Sequence, residues 1–122
     1  MLEAVNSILF YSSDTGKTAE FYRTLGFTVG ERFGSVTAAL NGFELVFVDK
    51  NKAEFQKEAQ TDPKGVGVFL YVQVDDVDQV HRSLVDKGVF ASTPRNWPWG
   101  NREFVVKDPD GYKLIFYRKS VA

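Results

Sequence analysis

The chain has no cysteine and a single histidine, His81, among its 122 residues. The missing cysteines exclude disulfides, thiolate metal sites and thiol catalysis. His81 lies beside Val80 in a predicted helix, where we expect it to pack against the protein rather than to bind a metal. Because histidine is a common metal ligand and general base, metal and acid–base chemistry have few candidate residues in this sequence.

Excess charge and long hydrophobic runs are missing as well. Fifteen basic residues against sixteen acidic ones give a net charge of −1, and no basic stripe exists to engage nucleic-acid phosphates. No apolar run approaches the ~20 residues that span a bilayer, and the N-terminal residues lack the pattern of a signal peptide. We therefore expect a cytoplasmic protein with neither a nucleic-acid nor a membrane partner.

The chain is instead rich in aromatic residues. Eleven Phe, five Tyr and two Trp make up 15 % of a sequence whose length fits one domain. A hydrophobic share of 43 % is enough for a packed core without disulfides or metals. The rings exceed what such a core needs, so we expect some of them to contact a ligand.

The first half of the chain combines strand and helix patterns. A strand at 5–11 is followed by a helix that begins at the N-cap cluster 12–15 and ends at Gly26, a residue type that closes helices. Three strands follow at 27–33, 35–40 and 43–49. Asn41-Gly42 joins the last two strands and is a strong hairpin signal.

The second half repeats this order. A strand at 68–74 precedes a helix that begins at Asp75-Asp76 and ends at Gly88, and strands follow at 89–92, 103–107 and 112–118. The helix-closing glycines of the two halves are 62 residues apart, whereas the hairpin glycines are 69 residues apart. The second half is therefore longer between helix and hairpin, and we place the excess in 92–102, which contains both tryptophans.

These patterns predict an α+β fold class with two tandem β-α-β-β-β units. We expect one domain over residues 1–122, with repeats at about 4–49 and 67–119. A polar connector at 50–66, which contains Asp62-Pro63, joins the two repeats.

Alternation along the central strands divides their side chains between two faces. One face is wholly apolar, as expected beneath the helices, and consists of Ile8, Phe10, Leu45, Phe47, Leu70, Val72, Leu114 and Phe116. The other mixes rings, hydroxyls and charges, and its candidate ligand-binding residues are Ser7, Tyr11, Glu44, Val46, Phe69, Tyr71, Ile115 and Tyr117. Rings beside polar groups are typical of a ligand cleft. A dimer interface has a similar composition, and one face can serve both purposes.

Several segments, in this order and spacing, resemble one protein superfamily. They are Ser13-Asp14, 19–27, Val74-Asp75-Asp76-Val77-Asp78 and Asp108-Pro109-Asp110-Gly111-Tyr112. The superfamily is that of the vicinal oxygen chelate proteins, which includes glyoxalase I, bleomycin resistance proteins and extradiol dioxygenases. The resemblance covers nearly the whole chain and implies two units whose sheets curl into a cupped mixed sheet around a cleft.

The resemblance also implies where a metal would bind. Metal-using members place His, Gln or Glu ligands on the inner strands, at positions that correspond here to Ser7, Val46, Phe69 and Ile115. Serine is a poor ligand and the other three side chains offer no lone pair. Without a metal, the Lewis acid and the activated water of such enzymes are lost. We therefore predict no metal, no cofactor and no catalytic residue.

The segment 96–104 is similar to the Trp-Gly-x-Arg-Glu-Phe segment of bleomycin resistance proteins. Those proteins sequester a drug and are dimers with clefts shared between subunits. The resemblance implies metal-independent binding of an aromatic small molecule by a homodimer, and adds Trp97, Trp99 and Arg102 to the ligand-binding residues. Trp99 is also suited to pack its loop against the sheet, and Arg102 to a structural pair. Bleomycin-binding relatives are strongly acidic, so this nearly neutral chain favours an uncharged heterocycle.

Two other functions stay open at this point. A lyase, isomerase or dioxygenase of the same superfamily would need acid–base groups, for which the candidates are Tyr11, Glu44, Tyr71, Lys113 and Tyr117. A regulatory module that binds another protein would use the same exposed rings. The sequence names neither the ligand nor the physiological role.

Overall fold

The computed structural model describes residues 1–32 and 34–120. It consists of two units, Met1–Lys64 and Gly65–Ala122, and each has the strand–helix–three-strand order of the predicted repeat. Each unit builds one four-stranded mixed sheet, which confirms the α+β class. Phe33 of a predicted strand and residues 121–122 of the predicted domain lie outside the described residues. No helix in the described ranges is long and apolar enough to cross a membrane.

The first unit consists of β1 (Ser7–Ser12), α1 (Thr15–Leu25), β2 (Thr28–Arg32), β3 (Ser35–Leu40) and β4 (Phe43–Asp49). The sheet order is β1-β4-β3-β2, in which β1 runs parallel to β4 and the other pairs are antiparallel. Asp14 caps α1 by accepting a hydrogen bond from the Lys17 amide at 3.1 Å. Gly26, with φ 107°, ends the helix. Both termini lie where the sequence predicts them.

A short helix, α2 (Gln56–Gln60), lies in the segment predicted to be a polar connector. Its one buried residue is Ala59. The Gln60 amide group donates to the carbonyl of Lys50 at 3.2 Å and to the side chain of Asn51. These contacts involve exposed polar groups, which explains why hydrophobic periodicity does not predict this helix.

The second unit consists of β5 (Phe69–Gln73), α3 (Val77–Asp86), β6 (Arg95–Asn96), β7 (Asn101–Lys107) and β8 (Lys113–Lys119). Its sheet order, β5-β8-β7-β6, repeats that of the first unit, with β5 parallel to β8. Asp76 caps α3 through the Gln79 amide at 3.1 Å. Gly88, with φ 85°, follows the end of the helix as predicted.

The strand predicted at 89–92 is wrong. This segment makes a single β-bridge, from Ala91 to Val106, and the corresponding strand is the two-residue β6 further along. The Ser92 amide donates to the carbonyl of Val105, but the Val105 amide donates to the Ser92 hydroxyl at 2.7 Å. Because a side chain replaces the backbone acceptor, the ladder stops there, and Pro94 has no N–H with which to resume it.

Each helix packs against one side of its sheet, which we call the helix side. Helix α1 contacts β2, β3 and β4, and the buried Tyr22 ring lies 4.8 Å from the ring of Phe47. Helix α3 contacts β7 and β8, where the ring of His81 meets Phe104 edge-on at 5.1 Å. Most of the predicted helix-side residues are buried here, and burial of apolar surface is the main stabilising contribution.

Candidate functional site

The sheet face opposite each helix, called here the open face, carries most of the predicted site residues. In the first unit Ser7 pairs with Glu44, and Leu9 pairs with Val46, so these side chains share that face with Tyr11. Ser7 and Glu44 are exposed, whereas Tyr11 and Val46 are half-buried. A role in ligand binding for the four predicted residues of this face, Ser7, Tyr11, Glu44 and Val46, stays a prediction.

The open face of the second unit is more aromatic. Register pairs Phe69 with Lys113, Tyr71 with Ile115 and Gln73 with Tyr117, which brings together the residues that we call the aromatic face: Phe69, Tyr71, Ile115 and Tyr117. Phe69 and Tyr71 remain 52 % and 48 % exposed, while Ile115 is buried between neighbouring strands. The rings of Tyr71 and Tyr117 meet edge-on at 5.3 Å. Phe69 and Tyr71 are thus two large rings open to solvent, and Tyr71 is held in place by Tyr117.

Both tryptophans lie in the turn between β6 and β7. The turn is closed by a hydrogen bond from the Trp97 amide to the carbonyl of Asn101 at 2.8 Å. The two indole rings stack on each other at 4.7 Å with an angle of 11° between them. The Arg95 guanidinium lies 3.8 Å from the Trp97 ring centroid. We call Arg95, Trp97 and Trp99 the tryptophan stack.

Within this stack, only one indole keeps a free face. Two groups as close as Arg95 and Trp99 cannot share one side of the Trp97 ring, so they cover its opposite faces. Trp99 is 59 % exposed, and its outer face is therefore open. Of the two tryptophans predicted to stack on a ligand, Trp99 is the one whose ring is available.

Glu103 fixes the orientation of the stack, a role that the sequence did not assign to it. Its side chain is only 3 % exposed, and its Oε2 accepts hydrogen bonds from Trp99 Nε1 and Asn101 Nδ2, both at 2.9 Å. Glu103 pairs in register with Tyr117, so it joins the stack to the aromatic face. Strand alternation was the signal that could have found it, because Glu103 and Arg102 are adjacent and must point to opposite sides.

Arg102, a predicted ligand-binding residue, lies on the helix side instead. Its Nη2 and Nε donate to the two carboxylate oxygens of Asp78 at 2.8 and 3.0 Å, and its Nη1 donates to Asn96 Oδ1 at 3.3 Å. The hydrogen bond from Arg102 lowers the pKa of Asp78, and the same bond raises the pKa of Arg102. Arg102 therefore ties α3 to the strands that carry the tryptophan stack, away from the aromatic face.

A pocket of about 360 Å³ opens beside the tryptophan stack. It is lined by Ser92, Thr93, Arg95, Trp97, Glu103, Phe104 and Val105. It lies where pairing with β7 is interrupted, between the bridge at Ala91 and the two-residue strand β6. Its lining combines rings and hydrocarbon with two charged groups, a composition that suits a small organic molecule.

The sequence matches a known family across both units. The model of the Glyoxalase/Bleomycin resistance protein/Dioxygenase superfamily matches residues 4–116. The chain belongs to this superfamily. The match includes the first sheet, the second sheet up to residue 116 in β8, the tryptophan stack and Glu103, and it confirms the resemblance inferred from the sequence.

Solved superfamily structures share this fold. A glyoxalase/bleomycin resistance protein/dioxygenase from Nocardioides is 21 % identical with a TM-score of 0.79, covering 100 % of this chain and 90 % of that chain. The bleomycin resistance determinant encoded on the transposon Tn5 is 20 % identical with a TM-score of 0.74, covering 98 % and 100 %. A bleomycin-binding protein complexed with bleomycin is 20 % identical with a TM-score of 0.71, also covering 98 % and 100 %. No curated protein sequence matches the chain.

The donor atoms at the superfamily's metal positions do not fit a divalent cation. By the sequence resemblance, these positions are Ser7, Val46, Phe69 and Ile115. Three of the side chains are hydrocarbon and the fourth is a hydroxyl, which is a weak ligand. Within 1–32 and 34–120, no three His, Cys, Asp or Glu side chains lie close enough together to hold a metal ion. The second unit instead presents the rings of the aromatic face and the tryptophan stack together with hydrogen-bonding groups.

Proposed function

We propose that this superfamily member binds an uncharged aromatic small molecule on the aromatic face, beside Trp99, without a metal. The observation that carries the proposal is that Phe69 and Tyr71 stay about half exposed on the open face of the sheet whose β6–β7 turn also carries the exposed Trp99. Large rings that stay in water are unfavourable unless something covers them. A planar ligand would cover them and gain ~0.5–1.5 kcal/mol per ring pair beyond area burial.

The groups around these rings favour a neutral ligand. Lys113 Nζ lies 5.3 Å from the Phe69 ring centroid and holds a positive charge at one end of the aromatic face. Glu103 holds the opposite charge at the other end, below Trp99. With a net charge of −1, the chain has no strong field to draw in a polycation.

We propose that the protein protects against a compound by sequestering it, as an antibiotic-binding protein would. The support is the shared fold with a bleomycin-binding protein complexed with bleomycin, together with metal positions that lack ligating side chains. Sequestration needs only affinity, and it makes no demand on acid–base groups. The alternative, superfamily enzyme chemistry, would need a donor set that these positions do not provide.

We further propose that the protein acts as a homodimer with clefts shared between its subunits. Among the described residues, β5 pairs only with β8, which leaves the outer edge of that strand without a partner strand. Exposed strand edges favour association, and a two-fold pairing would cover equivalent edges on both copies. Light scattering at micromolar concentration is expected to give twice the monomer mass, and a monomer would contradict this part of the proposal.

The proposal is tested with a panel of planar heterocycles, using quenching of tryptophan fluorescence and calorimetry. Tyr71→Ala is expected to weaken a binder about threefold to tenfold, because it removes one ring contact. A chelator is expected to leave the affinity unchanged. Phe90→Ala is the matched control, since Phe90 is 94 % exposed and lies outside the aromatic face.

Three results would overturn the proposal. The first is a panel in which nothing binds. The second is a binder whose affinity is the same for Tyr71→Ala and Phe90→Ala, which would place it elsewhere. The third is binding that disappears with the chelator, which would mean that a metal is required.

A further inference from the structure

One carboxyl oxygen of Glu103 has no donor. Both hydrogen bonds, from Trp99 and Asn101, go to Oε2, and within 1–32 and 34–120 none goes to Oε1. In the same residues, no fully enclosed side-chain nitrogen or oxygen lacks a partner. Oε1 therefore keeps an opening, although the residue is 3 % exposed. Glu103 also lines the pocket of about 360 Å³ beside the tryptophan stack.

The same pocket is lined by a guanidinium group, that of Arg95. Arg95 pairs in register with Glu103 across β6 and β7, so both side chains lie on the open face. The Arg95 guanidinium carbon lies 3.8 Å from the Trp97 ring centroid. Arg95 makes no ion pair with Glu103 or with any other described residue. Beside the hydroxyls of Ser92 and Thr93, the pocket is thus lined by an acceptor, Glu103 Oε1, and by the N–H groups of Arg95, and among the described residues neither makes a hydrogen bond to the protein.

We propose that this pocket recognises an uncharged cyclic amide, a lactam, whose N–H donates to Glu103 Oε1 and whose carbonyl accepts from Arg95. A ligand cation would meet Arg95, and a ligand anion would meet Glu103. An N–H and a C=O side by side on a neutral ring satisfy both groups. The inference rests on the proposed function, because it takes the ligand to be the same kind of neutral aromatic molecule, here held in the pocket that Trp97 rather than Trp99 lines.

The burial of Glu103 makes the N–H a determinant of specificity. A ligand that fills the pocket without a donor removes water from Oε1 and leaves that oxygen unpaired in a poorly solvated site. A site built around a buried acceptor rejects analogues that lack the matching hydrogen. Ring stacking alone would accept either kind of analogue equally.

The experiment compares 2-quinolinone with coumarin, binding each to the full chain by calorimetry. The two molecules share ring size and carbonyl position, but coumarin has a ring oxygen where 2-quinolinone has N–H. We expect 2-quinolinone to bind at least about tenfold more tightly. Equal affinities, or failure of 2-quinolinone to bind, would overturn the inference.

Glu103→Gln provides a second measurement. Trp99 and Asn101 both need an acceptor, so the glutamine carbonyl would face them and its NH2 would face the pocket. The preference for 2-quinolinone over coumarin is expected to vanish because coumarin no longer leaves an unpaired oxygen and binds at least as tightly as before, while the near-ultraviolet signal of the tryptophan stack is retained. A preference that survives would contradict the assignment of the donor to Glu103.

The outcomes separate this inference from the proposed function. If other planar compounds bind in a Tyr71-dependent way but the two probes bind equally, the lactam assignment fails and aromatic binding stands. If no planar compound binds at all, both fail.

Discussion

The two units share one strand order, but in the second unit ring contacts occur on the open face as well as on the helix side. In the first unit the described ring contacts gather on the helix side, where Tyr22 meets Phe27 at 5.3 Å and Phe47 at 4.8 Å. In the second unit the open face holds the Tyr71–Tyr117 pair and the tryptophan stack. The ring contacts of the first unit therefore stabilise helix packing, whereas in the second unit Phe69, Tyr71 and Trp99 stay about half exposed on the open face and its turn.

Equivalent positions on the open faces show the same contrast. By strand register, Tyr71 of the second unit stands where the first unit has Leu9, and Glu103 stands where it has Ser35. No helix packs on this face, so core packing does not dictate the side chains there. The repeat therefore keeps its backbone while its open face changes chemistry, which explains how one superfamily fold serves different ligands.

The connections differ as well. In the first unit α1 leads to β2 through two residues, 26–27, whereas in the second unit 87–94 separate α3 from β6. The longer connection shortens β6 to two residues and leaves room for the pocket beside β7. In the second unit a pocket therefore lies where a longer β6 would make sheet hydrogen bonds with β7.

The largest expected effect is the loss of a helix-side ring. Phe47 is 0 % exposed and contacts the rings of Phe10 and Tyr22. Phe47→Ala is expected to lower the free energy of unfolding by ~3–5 kcal/mol, because it leaves a cavity in the core. Tyr71→Ala, on the open face, is expected to lower it by less than ~1 kcal/mol. Urea denaturation followed by circular dichroism measures both.

Phe104→Ala is the matched control in the second unit. Phe104 is buried on the helix side and stacks on Phe116 at 5.1 Å, so its loss should resemble that of Phe47. A Tyr71→Ala protein destabilised as much as either variant would show that the aromatic face is core, and the contrast between the two faces would be wrong.

A smaller effect is expected from the hydrogen bond that anchors α1. The hydroxyls of Ser12 and Thr18 lie 2.8 Å apart and are fully buried. Ser12→Ala leaves the Thr18 hydroxyl without this partner, so the free energy of unfolding is expected to fall by ~1–3 kcal/mol. Ser83→Ala, at an exposed position of α3, is the control and should change it by less than ~0.5 kcal/mol. Equal urea midpoints for the two variants would contradict the role of this bond.

Most of the fold could be predicted from the sequence because its signals are local. Helix caps such as Asp14 and the two-residue loop at Asn41-Gly42 act within a few residues, and both lie where expected. Helix α2 and the position of β6 depend instead on side-chain hydrogen bonds made over a distance. The hydrophobic pattern of the sequence does not indicate that the Ser92 hydroxyl replaces a backbone carbonyl as the acceptor for the Val105 amide.

For the candidate site, the sequence predicts which side chains share a face of the sheet but not which contacts they make. Strand alternation assigns Phe69, Tyr71 and Tyr117 to one surface, and the register agrees. The stacking of Trp97 on Trp99 depends on the turn conformation, which the sequence does not specify. Arg102 reaches Asp78, which lies 24 residues earlier in the chain, so that pairing follows from the packing of α3.

The smallest expected effect is on the pH dependence of the free energy of unfolding, which should differ between the ion pairs of the two helices. Asp78 of α3 pairs with Arg102, whereas the exposed pair of α1 is internal to that helix, between Glu20 and Arg23 at 3.3 Å. Because folding lowers the pKa of Asp78, its ionised form stabilises the fold. That contribution is present above the ordinary carboxyl pKa of 3.8 and is lost as the pH falls through the lower folded-state pKa.

Asp78→Asn removes this contribution, so the urea midpoint of the variant should lie below that of the parent near neutral pH. The gap should close as the pH falls below 3.8. Glu20→Gln is the control and should cost less near neutral pH, since exposed pairs within one helix contribute little. A gap for Asp78→Asn that stays constant or widens in acid would mean that the Arg102 pairing does not stabilise the fold. The tie between α3 and the strands of the tryptophan stack would then rest on packing alone.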